Sequence, residues 1–279
     1  MREIKVSEIT NKVEEMFIDA CRNIPCNILA SLKEAKEKEE SALGKEVIER
    51  IIQNDELAKE KKLPICQDTG VAVVFLEVGY DVHFDGDIYE AVNEGVRRAY
   101  INGYLRKSVV KHPLDRVNTK DNTPAIVHVK LVKGDKVKID VAPKGGGSEN
   151  MSLVKILIPA DGVEGIKKLV LDTVFKGGGK PCPPIIVGLG IGGNLEQSAL
   201  LAKKALLREI DDVNEDPILA KLEEELKEDI NKLGVGPMGF GGTQTCLAVK
   251  ALAYPCHIAS LPLAINIQCH AARHKSYIF

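Results

Sequence analysis

Cys66 and Asp68 place a thiol and a carboxylate two residues apart in the segment PICQDTG, residues 64–70. A thiolate can bind a metal and a carboxylate can move a proton, so the pair could combine metal ligation with acid–base chemistry. The apolar run from Val71 to Val78 predicts a buried strand that would hold the preceding loop rigidly. The same residues also suit a purely structural role, in which a small buried cysteine precedes an aspartate that caps a turn.

Two further cysteines have settings that favour chemistry. Cys182 lies in GGGKPCPP, where glycines and prolines exclude regular structure, so its thiol is expected on a stiff loop. Cys269 directly follows an apolar strand and precedes His270 and Arg273, whose positive charge would favour the thiolate. Cys21 and Cys246 are interpreted instead as small core residues. The seven cysteines are an odd number without a secretory signal, which argues against disulfides.

The three loop cysteines Cys66, Cys182 and Cys269 are far apart in the sequence, and their spacing alone does not show that they meet. An iron–sulfur cubane normally takes four cysteine ligands. A set of three would leave one iron able to bind substrate or water as a Lewis acid, as in catalytic metal sites that keep one position open. The chain has no CxxC pair, which disfavours a zinc ribbon.

A glycine motif, GLGIGG at residues 188–193, matches the dinucleotide fingerprint GxGxxG between a strand and a helix. Such a site also needs an acidic residue at the end of a second strand about 20 residues further on. Glu209 falls instead in the helix that continues from the motif. Nicotinamide binding is therefore disfavoured, while an anion-binding turn at the start of this helix stays open.

The composition is that of a globular chain. With 279 residues, 44% of them hydrophobic, it can bury a large core in one or two domains. The 38 basic and 40 acidic side chains give a net charge of −2, which offers no electrostatic footprint for nucleic acid or an anionic membrane. The N-terminal MREIK lacks a signal-peptide core, and no apolar run reaches a membrane-spanning length. A cytoplasmic location and a small-molecule or protein partner are expected.

The elements that must position these residues fall into two parts. Apolar residues at helical spacing predict a helical lobe over residues 1–62, and alternating strands and glycine-rich loops follow over 63–279. Lys133-Gly134-Asp135 predicts a hairpin between strands at 125–132 and 136–141. The other predicted elements are a strand at 71–78, a helix at 87–101, a helix ending in three glycines at 177–179, a strand at 185–187, helices at 194–210 and from 216, and strands at 247–253 and 258–267. We therefore predict an α/β fold in which the helical N-terminal lobe packs on a mixed-sheet body, forming one domain over 1–279.

Four sequence blocks together resemble the class I, iron–sulfur-dependent fumarate hydratases and the related L-tartrate dehydratases. The blocks are CQDTG at 66–70, KGGGSEN at 144–150, GPMGFGG at 236–242 and QCHAARH at 268–274. The resemblance runs over nearly the whole chain in the same motif order. Four separated blocks are far more specific than any single motif.

The resemblance implies a role for eight residues. By their match to the family, Cys66, Cys182 and Cys269 hold an oxygen-labile 4Fe-4S cluster with one iron that no cysteine ligates. Asp68 matches the catalytic acid. The implied substrate contacts are Gln67, Arg106, Gly146 and His257.

The chemistry of two implied substrate contacts agrees with these roles. The planar guanidinium of Arg106 suits a carboxylate, and the imidazole of His257 can donate a hydrogen bond to an oxygen of a dicarboxylate. Both residues also have a structural interpretation. Arg106 could be an ordinary surface cation, and His257 a core histidine with its hydrogen bonds satisfied.

The longer family members continue into a second domain that carries further substrate ligands, whereas this sequence ends at Phe279, shortly after Cys269. The resemblance therefore implies the α subunit of a two-subunit hydro-lyase, with a β subunit completing the active site in pairs of αβ units. The expected reaction is the reversible hydration of fumarate to malate, and the alternative is an L-tartrate dehydratase α subunit. A zinc-dependent hydrolase and a non-catalytic nucleotide-binding module stay open as alternatives from other classes.

Overall fold

The structure, a computed structural model, describes residues 2–279, which form eight α-helices and ten β-strands. The helices are α1 (Val6–Arg22), α2 (Cys26–Lys38), α3 (Ala42–Lys61), α4 (Ile88–Asn102), α5 (Gly146–Glu149), α6 (Gly162–Gly177), α7 (Leu195–Ala205) and α8 (Pro217–Asn231). The strands are β1 (Arg2–Ile4), β2 (Val71–Gly79), β3 (Val82–Phe84), β4 (Ile126–Val132), β5 (Val137–Lys144), β6 (Leu153–Leu157), β7 (Ile185–Gly192), β8 (Cys246–Tyr254), β9 (Leu261–Gln268) and β10 (Lys275–Ile278).

The predicted α/β class with mixed sheets is confirmed. The chain forms two compact units. The first comprises Met1–Ile24, Asp55–Gly146 and Arg273–Phe279, and the second Pro25–Asn54 and Gly147–Ala272. Helix α1 belongs to the first unit and α2 to the second, so the predicted lobe boundary at residue 62 does not coincide with the division into units. The single domain over 1–279 stays a prediction. Within residues 2–279, no helix has the length and apolar character needed to cross a membrane.

The first unit is built on a four-stranded sheet in the order β10-β5-β2-β4. Strand β2 pairs in parallel with β4 and antiparallel with β5. It takes a central position because it is apolar nearly throughout, and such a strand needs a neighbour on each edge and cover on each face. Helices α1 and α4 pack on each other and contribute to the core of this unit, whose largest members include Phe17, Leu76, Tyr100 and Ile139.

The predicted hairpin between residues 125–132 and 136–141 is wrong. The two strands exist as β4 and β5, but β2 lies between them and pairs with both. The link from residue 133 to 136 passes the end of β2. There the N–H of Gly79 donates to the carbonyl of Lys136 (2.9 Å), and the N–H of Tyr80 donates to the carbonyl of Val132 (2.9 Å). The turn residues were recognised correctly, but the pairing was decided by the more apolar strand.

The second unit is built on a sheet in the order β6-β9-β7-β8. Strand β7 pairs in parallel with β8 and antiparallel with β9. Helices α6 and α8 bury their apolar faces in the core of this unit, whose members include Val170, Leu189, Leu226 and Ile265. The carboxyl side of β9 leads directly to Cys269.

Residues 188–192 of the glycine motif belong to strand β7, which extends to Gly192 instead of ending at residue 187. A Cβ at Gly188 would lie 2.3 Å from the carbonyl oxygen of Ala202, and one at Gly190 would lie 1.9 Å from that of Ser198. Both carbonyls are on α7, so the two glycines allow this helix to lie directly on the strand. Helix–strand packing, and not a phosphate turn, accounts for them.

Candidate active site

The segment from Cys66 to Gly70 is a loop between α3 and β2. It is fixed to α1 because Ile65 donates its backbone N–H to the carbonyl of Cys21 (2.9 Å). The Cys66 thiol is exposed, and the N–H of Asp68 lies 3.4 Å from its sulfur. Hydrogen bonds to sulfur tune the thiolates of iron–sulfur sites, so this arrangement suits Cys66 as a ligand.

The carboxylate of Asp68 is held by two backbone N–H groups. Oδ1 accepts from Gly70 (3.0 Å) and Oδ2 from Gly146 (2.8 Å). The second bond joins the first and second sequence blocks, which are 78 residues apart along the chain. A carboxylate has about four acceptor positions, so each oxygen keeps one for another partner. The group is thus fixed in direction and still able to exchange a proton with a bound molecule.

Arg273 brings the fourth sequence block to the same place. Its side chain is buried, and Nη1 donates to the carbonyl oxygen of Asp68 (2.7 Å). A Cβ at Gly145 would lie 3.1 Å from Oδ2 of Asp68 and 3.4 Å from Nη2 of Arg273, so this glycine lets the three segments approach closely. The sequence marked Arg273 only as a cation near Cys269. The structure identifies it as a residue that positions Asp68.

Two fully buried side chains hold the backbone next to Asp68. The hydroxyl of Tyr100 donates to the carbonyl of Thr69 (2.6 Å), and Nδ2 of Asn122 donates to that of Gly70 (3.1 Å). Burial raises the pKa of the Tyr100 phenol above its ordinary value, which keeps it protonated as a donor. Gly70 has φ +78°, and a Cβ there would lie 2.6 Å from the Lys144 backbone, so glycine alone fits. Sequence reasoning missed Tyr100 and Asn122, since nothing distinguishes them from ordinary polar residues.

Arg106 and Gln67 lie in the same unit with exposed side chains. The carbonyl of Arg106 accepts the hydroxyl of Thr69 (3.0 Å). Oδ1 of Asn122 also accepts the N–H of Ser108 (2.6 Å), which fixes the connection that carries Arg106. The first unit therefore contains Gln67, Asp68, Arg106 and Gly146, with the two longer side chains accessible to a substrate.

In the second unit, Cys182 lies on the connection between α6 and β7, as the glycines and prolines predicted. Its backbone has φ +55°, a strained conformation for a residue with a side chain, and such strain is found most often at functional sites. Its N–H donates to the carbonyl of Gly179 (3.1 Å), and its own carbonyl accepts from His270 (3.3 Å). The second of these bonds joins the Cys182 loop to the segment that follows Cys269.

Cys269 lies directly after β9 and is partly exposed. Nε2 of Gln268 is 3.5 Å from its sulfur and also donates to the carbonyl of Ala271 (3.2 Å). The thiol therefore has an amide N–H directed at it, as Cys66 has. Two of the predicted ligands, Cys182 and Cys269, thus lie on connected loops of one unit.

Two other cysteines are core residues, as predicted. Cys21 and Cys246 are fully buried. Burial raises the pKa of Cys21 to about 11 and that of Cys246 to about 12. Both remain neutral thiols at physiological pH and do not supply thiolate ligands.

His257 lies in the connection between β8 and β9 and is exposed. This excludes the interpretation as a core histidine. Its Nδ1 accepts the N–H of Ala259 (3.1 Å), so the neutral ring carries its proton on Nε2, directed away from the backbone. The imidazole can therefore donate a hydrogen bond to a ligand.

The three loop thiols have the donor chemistry of iron–sulfur ligands. In the part of the chain that the structure describes, no group of three or more His, Cys, Asp or Glu side chains is arranged to hold a metal ion. A cubane has a different requirement, because each thiolate binds a different iron and the sulfurs need not converge on one point. Three accessible loop thiols, two with an N–H directed at sulfur, meet that requirement chemically. Because Cys66 belongs to one unit and the other two to the second, their convergence is a proposal.

A family model described as "Fumarate hydratase (Fumerase)" matches residues 10–278. The chain belongs to the Fumerase family. A Methanocaldococcus jannaschii protein provisionally named L(+)-tartrate dehydratase subunit alpha is 45% identical to it over 273 residues, 95% of each chain. The Escherichia coli K12 protein named L(+)-tartrate dehydratase subunit alpha is 31% identical over 277 residues, 98% of this chain and 91% of the relative.

Membership of the Fumerase family confirms the resemblance that the four sequence blocks indicated. The family name and the names of the relatives all denote hydro-lyases, which add water to a carbon–carbon double bond or remove it. The chain is therefore a member of a hydro-lyase family.

Proposed function

We propose that this chain is the α subunit of an iron–sulfur hydro-lyase that reversibly hydrates fumarate to malate. The observation that carries the proposal is the meeting of three sequence blocks at Asp68 in a chain of the Fumerase family. The names of the relatives, which call each a subunit alpha, support a β subunit that completes the site. Pairs of αβ units are the proposed assembly.

Cys66, Cys182 and Cys269 would hold a 4Fe-4S cluster. When bound, its iron without a cysteine ligand supplies a Lewis acid for the substrate hydroxyl. The N–H groups of Asp68 and Gln268 near the sulfurs of Cys66 and Cys269 would stabilise the thiolates.

Asp68 would transfer the proton of the leaving hydroxyl. In dehydration it gives a proton to the hydroxyl oxygen as the carbon–oxygen bond breaks, and in hydration it takes that proton back from the attacking water. The bonds from Gly70 and Gly146 fix the direction of the carboxylate, so little reorganisation is needed at the moment of transfer. A residue of the β subunit would handle the proton on the neighbouring carbon.

Arg106 would bind one substrate carboxylate through its planar guanidinium, and Gln67 and His257 would donate hydrogen bonds to other substrate oxygens. Gly146 would leave space for the substrate because it has no side chain. It is exposed, its N–H is used by Asp68, and a Cβ there would lie 3.9 Å from Oδ2 of Asp68, where a substrate must approach.

L-tartrate dehydration is the second candidate, because both relatives described above carry that name. Tartrate has one more hydroxyl than malate. A site built to hydrogen-bond that hydroxyl rejects a substrate without it, so the two activities should differ strongly in one enzyme.

The test is an anaerobic purification of the chain with and without its β subunit, followed by hydration and dehydration assays on fumarate, malate and L-tartrate. We expect a brown protein with stoichiometric iron and acid-labile sulfide that air bleaches, and turnover only when β is present. A colourless, air-stable, zinc-loaded protein would contradict the proposal. So would an iron-free protein that binds nucleotides saturably.

A further inference from the structure

Glu39 is a buried carboxylate in the connection between α2 and α3, in the second unit. It accepts backbone N–H groups from Ser41 (2.9 Å), Thr243 (3.0 Å) and Gln244 (2.8 Å). Burial alone would raise the pKa of Glu39, but these N–H groups hold it below its ordinary value. An ionised side chain of the helical region is thus the fixed attachment point for a segment about 200 residues further along the chain.

This attachment shapes the glycine loop, residues 236–242. A Cβ at Gly242, which has φ +125°, would lie 2.5 Å from Oε1 of Glu39. A Cβ at Gly44 would lie 2.8 Å from the side chain of Glu39 on the other side. Two glycines therefore enclose the carboxylate, and the loop is built to fit it closely.

The other end of the glycine loop contacts the Cys182 loop. Met238 donates its N–H to the carbonyl of Pro183 (2.7 Å), the residue directly after Cys182. A Cβ at Gly179 would lie 2.8 Å from the carbonyl oxygen of Met238. The glycine loop thus supports the strained Cys182 backbone on both of its flanks.

We propose that Glu39 is a positioning residue for Cys182, acting through the glycine loop. The inference rests on the proposed function, in which Cys182 is a cluster ligand. Replacing the carboxylate by an amide would turn one of its two acceptor oxygens into a donor that faces backbone N–H groups, and would loosen residues 242–244. The Cys182 thiol would then be held less firmly, and the cluster would be lost more easily even though Glu39 contacts neither.

Glu223 provides a matched control in the same unit. It is also a buried carboxylate that accepts a backbone N–H, from Ala251 (2.7 Å), and it pairs with Arg208 (2.6 Å). Within residues 2–279, its side-chain partners are Arg208, Asn214 and Ala251, all outside the glycine loop. Glu39→Gln and Glu223→Gln therefore make the same chemical change at two buried sites of one unit.

The experiment compares the two variants and the wild type as anaerobically purified αβ enzyme. We measure iron and sulfide per chain, the half-time of bleaching in air, the EPR spectrum of the cluster and the melting temperature. In Glu39→Gln we expect bleaching about tenfold faster than in wild type. Mutation of residues that hold a metal ligand in place lowers metal affinity by a similar factor. We expect Glu223→Gln to bleach at the wild-type rate, although its melting temperature falls by about as much as that of Glu39→Gln.

Equal bleaching rates in the two variants would overturn the proposal, because Glu39 would then contribute only to stability. If Glu39→Gln does not fold, Glu39→Asp keeps the charge with a shorter reach. A bleaching rate above wild type in that variant supports the proposal, and a wild-type rate overturns it. A wild-type enzyme without iron or sulfide would instead refute the proposed function itself.

Discussion

At the scale of single residues, Asp68 is the group whose surroundings are defined most completely. Its two oxygens face the N–H groups of Gly70 and Gly146, and its carbonyl receives the buried guanidinium of Arg273. Asp68→Asn would turn one acceptor oxygen into a donor facing a donor and would remove the transferable proton. We expect kcat to fall about 100-fold to 10,000-fold, measured anaerobically in the αβ enzyme.

Iron and sulfide content separate this effect from damage to the cluster. Asp68→Asn should keep both at the wild-type level, because Asp68 contributes only its N–H near Cys66 and that N–H remains. Unchanged turnover in the assembled enzyme would remove Asp68 from the reaction.

The second prediction at this scale concerns Cys269. Cys269→Ser should lose iron and sulfide, since a hydroxyl does not replace a thiolate toward iron. Cys256→Ser is the control, because Cys256 is likewise an accessible thiol in the second unit and is not in the proposed ligand set. Full iron and sulfide after the Cys269 change, measured on anaerobically purified protein, would exclude this residue as a ligand.

At the scale of elements, the contact between β7 and α7 yields a stability prediction. Gly190→Ala would place a methyl group 1.9 Å from the Ser198 carbonyl, so the helix must move away from the strand. Overpacking of this kind costs about 1–3 kcal/mol, and we expect that loss in the free energy of unfolding measured with urea. Gly177→Ala is the control, because its Cβ would meet nothing closer than 3.7 Å. Equal stability of the two variants would contradict the packing role of the motif.

The elements also show which structural features local sequence patterns can predict. Strand β2 and helix α4 were predicted to within a residue or two, because the apolar run of β2 and the Asp85-Gly86 turn before α4 are local signals. Which strands pair is a non-local property, and the hairpin prediction failed because β2 takes the place between β4 and β5.

The same limit applies to the candidate site. The sequence pointed to Cys66, Asp68 and Cys182 as candidate functional groups by residue type and neighbours. The residues that fix neighbouring segments, such as Asn122 and Glu39, carry no local signal, since their contacts are with segments distant in the sequence.

At the scale of the whole molecule, two of the four sequence blocks lie where the chain crosses from one unit to the other. The chain passes between the units at 146/147 and at 272/273, inside the KGGGSEN and QCHAARH blocks. The residues on the two sides of each boundary belong to different units and make different contacts. Gly146 and Arg273 hold Asp68 in the first unit, whereas Cys269 belongs to the second. Each of these two blocks therefore contains residues of both units.

The last prediction concerns the pH dependence of stability. Several carboxylates have pKa values below their ordinary ones, notably Glu39 and Asp212. Burial alone would raise both pKa values. Backbone N–H groups outweigh this effect at Glu39, and Arg208 and Lys250 outweigh it at Asp212. A group whose pKa is lowered by folding stabilises the folded state at any pH above its unfolded pKa, and that contribution is lost as the pH falls through its folded value. The free energy of unfolding should therefore change little from neutral pH down to about 4.5, the ordinary Glu value, and fall steeply below it.

Urea unfolding at a series of pH values tests this directly, and Asp212→Asn supplies the control. The variant should be less stable at neutral pH and lose less on acidification, because the carboxylate that protonates in the wild type is already absent. The two curves should converge in acid. Parallel curves would show that Asp212 has the same pKa in the folded and unfolded states. If the free energy of unfolding of the wild type does not decrease at pH values below 4.5, the lowered pKa values are contradicted altogether.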